Sequence, residues 1–312
     1  MGNHFSRQKD VANEIRQLTE LLKSEGLDFP GCDFETTQPR EWMNNLDLDN
    51  VKLKDVVWPG SHDSATDTIG IPFISRPFAQ CQSHSIYKQL EHGVRVIDIR
   101  VEQNRCVCHG ILKGYHVQRV LNDVKRFLQD TKVEFIILEI RTEYGYEDPT
   151  NFDTYLVEEL GENLIPQDEK AFDKTLRELL PKRVLCIWKP RKAPAPAPGS
   201  LLWSSNYIKD NWTDVDLPYT KFQKNMEHLE KHGPVGTRKY FYRVENTCTP
   251  QPDNAIVCVK PVTERIKPYA RLFVSQVHKK GLGDRLQIFS SDFVDLDFIN
   301  VCIGLTVART ST

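Results

Sequence analysis

Residues 94–101 read Val-Arg-Val-Ile-Asp-Ile-Arg-Val, and residues 134–141 read Glu-Phe-Ile-Ile-Leu-Glu-Ile-Arg. Both are β-branched, mostly apolar runs of strand length, too short for a buried helix. Between them Val117, Val120, Leu121, Val124 and Leu128 recur at helical spacing. Strand, helix, strand is the repeat of a parallel α/β sheet, and the flanking sequence extends it. Residues 53–58 read as a short buried strand halted by Pro59-Gly60. Residues 85–92 read as a helix with Ser85 at its N-cap and Gly93 past its end, and 106–109 as a short strand. Downstream the pattern predicts helices at 151–160 and 168–180 and strands at 183–188 and 240–244. A helix at 262–279, a strand at 286–290 and a closing helix at 298–307 complete it. The Pro-Ala run 193–199 should be extended, exposed and able to overhang the end of the strand before it.

Outside this unit, residues 1–40 form a lead segment. Val11, Ile15, Leu18 and Leu22 predict an amphipathic helix that either packs on the domain or lies at a membrane. Gly26 ends it, and residues 27–40 read as a loop. Met1-Gly2-Asn3-His4-Phe5-Ser6 fits the pattern for N-myristoylation of Gly2. One such chain binds membranes only marginally, with an association constant of about 10⁴ M⁻¹, so a second contact would be needed. Arg7 and Lys9 are a thin one, offset by Asp10 and Glu14. The expectation is peripheral attachment at the cytoplasmic face of a membrane, and otherwise a cytoplasmic protein.

The 312 residues carry a formal charge of −2, which leaves no basic footprint for nucleic acid. No apolar run reaches the roughly 18 residues of a membrane span, and no secretory signal is expected at the polar start. The eight cysteines then read as reduced, several of them inside apolar strands. Cys106-Val107-Cys108-His109 is too tightly spaced for a zinc pair, and no second pair follows.

In a parallel barrel, chemistry gathers where strands end. Read that way, the chain offers His62 and Asp63 after the first strand, Asp98 and Arg100 in the second, and His109-Gly110 after the third. Glu139 and Arg141 close the fourth, Lys189 the fifth, and Asp292 follows the strand that begins at 286. Two histidines, cations and carboxylates at one mouth suit a phosphodiester. Each motif alone has a plain structural reading: a capped turn, an ion pair on a strand, a loop glycine. Their order and placement together favour an enzyme.

Pro59-Gly60-Ser61-His62-Asp63-Ser64, the Asp98-Ile99-Arg100 of the strand and Cys108-His109-Gly110 resemble the X domain of phosphatidylinositol-specific phospholipase C. The resemblance runs from about residue 42 to 307 and is clearest before 145. Residues 81–100 and 291–307 look most like the protozoan glycosylphosphatidylinositol-cleaving enzymes, while the Asp-x-Arg is shared with the bacterial ones. It implies a single, distorted TIM-type barrel over residues 41–312. It also implies cleavage of phosphatidylinositol, or of a glycosylphosphatidylinositol, into diacylglycerol and inositol 1,2-cyclic phosphate.

By the same resemblance His62 is the general base, His109 the general acid, and Arg100 the phosphate ligand. Asp292 orients His62, Asp63 assists near the leaving group, and Asp98 aims its neighbours. Arg141, Lys189, Asp210 and Trp212 correspond to headgroup contacts. Arginines at 100 and 141, where calcium-dependent relatives have carboxylates, imply no metal. Glu139 remains as one carboxylate on the same strand face. Two other readings stay open: a metal-dependent glycerophosphodiester phosphodiesterase, and a non-catalytic myristoylated lipid-binding module. Lys182, Arg183, Arg191 and Lys192 read either as a solvated fringe or as a contact with anionic lipid.

Overall fold

Alternate residues of a strand face opposite sides, and the run 96–101 uses this to send Ile97, Ile99 and Val101 into fully buried apolar surroundings. The polar Asp98 and Arg100 take the other face. A computed structural model describes residues 2–311, with the backbone alone for 2–5. In chain order its elements are α1 (Gly2–Glu25), β1 (Trp58–Ser61), α2 (Ile86–Glu91), β2 (Val96–Val101), β3 (Cys106–His109), β4 (Leu112–His116), α3 (Gln118–Asp130) and β5 (Ile136–Thr142). There follow α4 (Phe152–Leu160), α5 (Leu176–Leu179), β6 (Val184–Lys189), β7 (Trp203–Ser204), β8 (Ile208–Asp210), α6 (Pro218–Glu230) and β9 (Phe241–Asn246). The chain closes with α7 (Val259–Thr263), α8 (Ala270–Lys279), β10 (Ile288–Ser291) and α9 (Leu296–Thr310).

Eight strands run parallel in the order β7-β6-β5-β2-β1-β10-β9-β8, curling into the expected distorted α/β barrel. The curl stays open between β7 and β8. These are two and three residues long, joined by a single 3-10 turn at Ser205–Tyr207 rather than by a helix. Off the ring, β3 pairs antiparallel with β2 and with β4, making a hairpin that leans on the mouth. Register aligns Asp98 with Glu139, and Arg100 with Arg141 and then Lys189. The three cations therefore stand in one row across three strands.

Several elements depart from the sequence reading. Residues 53–55 are a 3-10 turn, and the strand is Trp58–Ser61, with Pro59 and Gly60 inside it. Proline lacks only the donor, and its carbonyl still accepts from Arg95 N–H at 2.8 Å. Glycine is needed beside it, since a Cβ at Gly60 would sit 2.2 Å from Ser290 Oγ. The helix expected at 168–180 is a 3-10 turn at Glu169–Asp173 followed by the single-turn α5, which Thr175 and Glu178 cap reciprocally. The one expected at 262–279 is two helices, broken at Pro268, whose missing N–H does not continue an α-helix. Helix α6 and strands β4, β7 and β8 were not anticipated.

The lead helix α1 packs on the barrel. Val11 and Leu18 are buried, Leu18 against Phe222, Met226 and their neighbours, at about 1.5–3 kcal/mol for each such side chain. Arg7 pairs with Asp216, Glu14 accepts from Thr220, and Lys279 pairs with Glu25. Asp216 lies in the connection after β8 and Lys279 ends α8, so the N-terminal end of α1 points to the mouth of the barrel. Gly31 and Gly304 let the following loop cross α9 in backbone contact, because a Cβ at either would come within 2.3 Å of the other's carbonyl oxygen. The acylation expected at Gly2 involves Met1 and a side-chain environment outside the described residues. No described helix is long and apolar enough to cross a membrane.

Candidate active site

The Ser-His-Asp-Ser turn after β1 is latched at both ends by its serines. The Ser61 and Ser64 hydroxyls lie 2.7 Å apart, and Ser64 Oγ accepts from the Asp98 N–H at 2.9 Å. Gln82 donates to the carbonyls of both His62 and Ser291, tying the ends of β1 and β10 together. Asp63 sits at φ 42°, a left-handed conformation that Asp tolerates better than most residues. The outcome is that His62 and Asp63 both point into the mouth.

There they meet a cavity of about 560 Å³. His62, Arg100, His109, Arg141, Asp210, Trp212 and Asp292 line it, together with Cys81, Arg243 and Glu245. Asp63 and Asp98 lie beneath, both buried. Lys189 is different: it is exposed and outside the lining, although its charge still reaches Asp210. Ten residues singled out from sequence thus fall at one mouth, nine in or directly under the cavity and one on its rim.

His62 is 5 % exposed. Its Nδ1 lies 2.8 Å from Asp292 Oδ1, whose other oxygen accepts from Thr263. Its Nε2 lies 2.7 Å from Arg100 Nη2. Burial alone lowers the affinity of this ring for a proton, but the Asp292 and Asp63 carboxylates outweigh it and raise the pKa to about 9. The Arg100 contact opposes them. Guanidinium nitrogens only donate, so a 2.7 Å approach requires Nε2 to be the acceptor. In this arrangement the ring is neutral, with its proton on Nδ1 towards Asp292. The carboxylates then stabilise the imidazolium once a proton is taken up.

His109 faces the same space from β3. Its Nδ1 is 2.8 Å from the Ala79 carbonyl, which fixes a proton there, and its Nε2 is 3.5 Å from Asp63 Oδ2. The same oxygen is 3.6 Å from His62 Nε2. It is buried and has no hydrogen-bond partner. These two contacts to one atom hold the ring nitrogens within about 7 Å of each other.

Arg100 Nε lies 2.7 Å from Asp63 Oδ1, and its Nη1 lies 3.5 Å from Glu143. Burial works against its charge, but Asp63, Asp98 and Glu143 outweigh it and hold the proton more firmly than usual. Burial likewise opposes ionisation of Asp98, yet Arg141, Arg100 and Arg243 keep its carboxyl well below the ordinary range. Arg141 Nη2 is 3.4 Å from Asp98. Trp212 stacks on His62 at 5.2 Å between ring centres, while Lys221 Nζ lies 4.4 Å from the Trp212 ring centroid. The tryptophan is therefore a wall of the base as well as of the cavity.

Sequence reasoning missed a buried hub. Arg243 binds Glu139 at 2.6 Å, Asp210 at 2.7 Å and Glu245 at 2.7 Å. Glu139, the carboxylate left over as a conceivable cation ligand, is thereby engaged. Arg243 and Glu245 alternate along β9 as Asp98 and Arg100 do along β2, and Glu143 continues the alternation of Glu139 and Arg141. That period of two was legible; what each side chain meets across the barrel was not. The Pro-Ala run lines a separate cavity of about 560 Å³ with Phe152 and Trp188 and does not overhang this one. The four flanking cations also part company. Arg183 caps the last turn of α3 by donating to the Leu128 and Thr131 carbonyls, whereas Lys192 pairs with Glu147 beside the mouth.

Comparison with known proteins gives a consistent set of likenesses. Residues 57–188 match the family model "Phosphatidylinositol-specific phospholipase C, X domain". A 1-phosphatidylinositol phosphodiesterase of Listeria monocytogenes is 33 % identical over 115 residues, 36 % of this chain and 36 % of that protein; the match thus spans about a third of that relative's length. A variant-surface-glycoprotein phospholipase C of Trypanosoma cruzi is 27 % identical over 88 % of this chain and 90 % of its own. The solved phosphatidylinositol-specific phospholipase C of Listeria monocytogenes superposes with a TM-score of 0.69 at 20 % identity, covering 86 % of this chain and 99 % of that one. It shares the fold.

Proposed function

We propose that the chain, whose residues 57–188 match the phosphatidylinositol-specific phospholipase C X domain, cleaves the phosphodiester of phosphatidylinositol, free or glycosylated. His62 Nε2 takes the proton of the inositol 2-hydroxyl, and that oxygen attacks phosphorus. The bond to the glycerol oxygen breaks as His109, entering the step as the imidazolium, gives that oxygen the proton on Nε2 and keeps the one on Nδ1, releasing diacylglycerol and leaving inositol 1,2-cyclic phosphate. Arg100, now facing His62 Nε2, turns its guanidinium to the non-bridging oxygens, where charge accumulates. Asp292 holds the ring of the base and favours its protonated form. Arg141, Asp210, Trp212 and, from the rim, Lys189 receive the headgroup.

The observation that carries this reading is the pair of histidine Nε2 atoms flanking one buried carboxylate oxygen, with a guanidinium beside them. A proton donor and a proton acceptor so spaced span a single phosphate. We take the reaction to need no metal. The fixed charge of Arg100 occupies the centre of the site, and Glu139 is held by Arg243, so among the described residues the cavity offers no free set of hard oxygen ligands for a calcium-like ion.

The partner is a lipid surface, contacted through the mouth. Ile71, Phe73, Ile74 and Phe78 after β1, Ile111 beyond His109, Tyr144 after β5 and Trp212 after β8 are all exposed. Each stands in a connection leaving the cavity end of a strand or the hairpin beside it. The N-terminal end of α1 points the same way, so an acyl chain on Gly2 would enter the same membrane, on its cytoplasmic face.

The test is turnover of phosphatidylinositol in excess chelator by wild type and His62→Ala. A positioned acid or base is worth about 10²–10⁴ in rate, and the variant should lose that much while still binding the lipid. Failure of the wild type in chelator would favour the metal-dependent phosphodiesterase. Equal turnover from both proteins, or none from either, would favour the lipid-binding module.

A further inference from the structure

Glu245 is 4 % exposed and lines the cavity, yet the reaction above gives it no part. Register carries it from β9 through Ser290 and Gly60 to Val96, two residues below His62 and four below Arg100. Its backbone carbonyl accepts from Asn225 at 2.9 Å, and its Oε1 lies 2.7 Å from Arg243 Nε. Those two contacts fix the residue and leave Oε2 buried with no hydrogen-bond partner among the described residues. The same guanidinium holds Asp210 at 2.7 Å through Nη2, so one arginine aligns two carboxylates on adjacent strands. Burial pushes the Glu245 carboxyl up against the pull of Arg243 and His62. Its charge is short of donors.

We propose that Glu245 Oε2 accepts a hydrogen bond from an inositol ring hydroxyl remote from the phosphodiester, which makes it a headgroup ligand beside Asp210. This role rests on the reaction proposed above. A neutral hydroxyl suits the free oxygen and a hard cation does not, because Arg243 stands against the same carboxylate and such an ion wants about six to eight oxygens. Depth decides which part of the substrate arrives there. His62 and Arg100 engage the 2-hydroxyl and the phosphate in the upper layers, so the far edge of the ring, with its 3-, 4- and 5-hydroxyls, reaches the layer of Glu245. A buried carboxylate oxygen left unpaired is costly, and a donor that completes it is worth about ten- to a hundredfold in affinity.

Binding of inositol 1-phosphate and of its 3-, 4- and 5-deoxy analogues to the full chain, measured by calorimetry on wild type and Glu245→Gln beside turnover of phosphatidylinositol, tests this. The variant should bind inositol 1-phosphate about ten- to a hundredfold more weakly. One deoxy analogue should show a comparable loss on wild type and little further loss on the variant, because its missing hydroxyl has no partner left there. A merely structural role of Glu245 would weaken all four ligands alike and leave every loss additive, and that result overturns the proposal. Glu245→Asp keeps a charge beside Arg243 and withdraws the oxygen, so it should repeat the pattern, and it decides the matter where the glutamine variant does not fold. A wild type that binds without turning over phosphatidylinositol overturns the reaction and leaves the cycle of deoxy analogues to decide the subsite. A wild type that binds none of the four ligands overturns both.

Discussion

Two opposed forces act on the ring of His62. Asp292 and Asp63 favour its protonated form, while Arg100 approaches Nε2 as a donor and favours the neutral one. Substitutions at the two sides should therefore shift the ring in opposite directions. Followed by NMR of labelled histidine, Asp292→Asn should lower the His62 pKa and Arg100→Gln should raise it. Shifts of the same sign would contradict the assigned geometry. The ring's folded pKa of about 9 lies above its ordinary 6.5. Where Arg100 has turned away from Nε2, the proton that the carboxylates hold on the ring contributes stability that is present below pH 6.5 and lost as pH rises through about 9. At this scale the sequence was most legible where chemistry and spacing coincide: His62, Asp63, Asp98, Arg100 and His109 stand within fifty residues of chain. Cys81 was read only as one of eight reduced cysteines, because nothing in residues 79–83 says that this loop folds back into the cavity.

Of the connecting elements, the loop between β1 and α2 carries the most exposed apolar surface. Arg76 donates to the Ile69 carbonyl and Ser75 Oγ caps the Ile71 N–H, so the loop is tied internally and Phe73 is left 97 % exposed. If this tip enters lipid, Phe73→Asp removes about 1.5–3 kcal/mol of burial, which is about ten- to a hundredfold in affinity for vesicles. Turnover of vesicle-borne phosphatidylinositol should fall accordingly, while turnover of a short-chain, monomeric substrate should stay near wild type. Equal losses on both would show that the loop serves the cavity and not the membrane. Strand elements were legible from their period of two, as in 94–101 and 134–141. The break near Pro268 and the fragments at 169–179 were not, because local capping and a single proline cut what an apolar pattern joins. Strands β7 and β8 are too short to carry a pattern at all.

At the scale of the whole chain, a barrel left open at one seam gathers on its mouth the cavity, the apolar tips and the N-terminal end of the lead helix. Composition could exclude nucleic acid and a membrane span, and the alternation of elements could give α/β. The barrel's closure, the hub around Arg243 and the docking of α1 depend on contacts between residues more than a hundred positions apart, such as Glu139 with Arg243 and Arg7 with Asp216. The central claim is that two imidazoles act on opposite sides of one phosphorus, with the substrate's own hydroxyl as nucleophile. Phosphorus NMR of the first product formed from phosphatidylinositol, in excess chelator, tests it most directly. Inositol 1,2-cyclic phosphate should appear first, matched by diacylglycerol. An acyclic phosphate ester as the initial product, or phosphatidylinositol left intact, would contradict it.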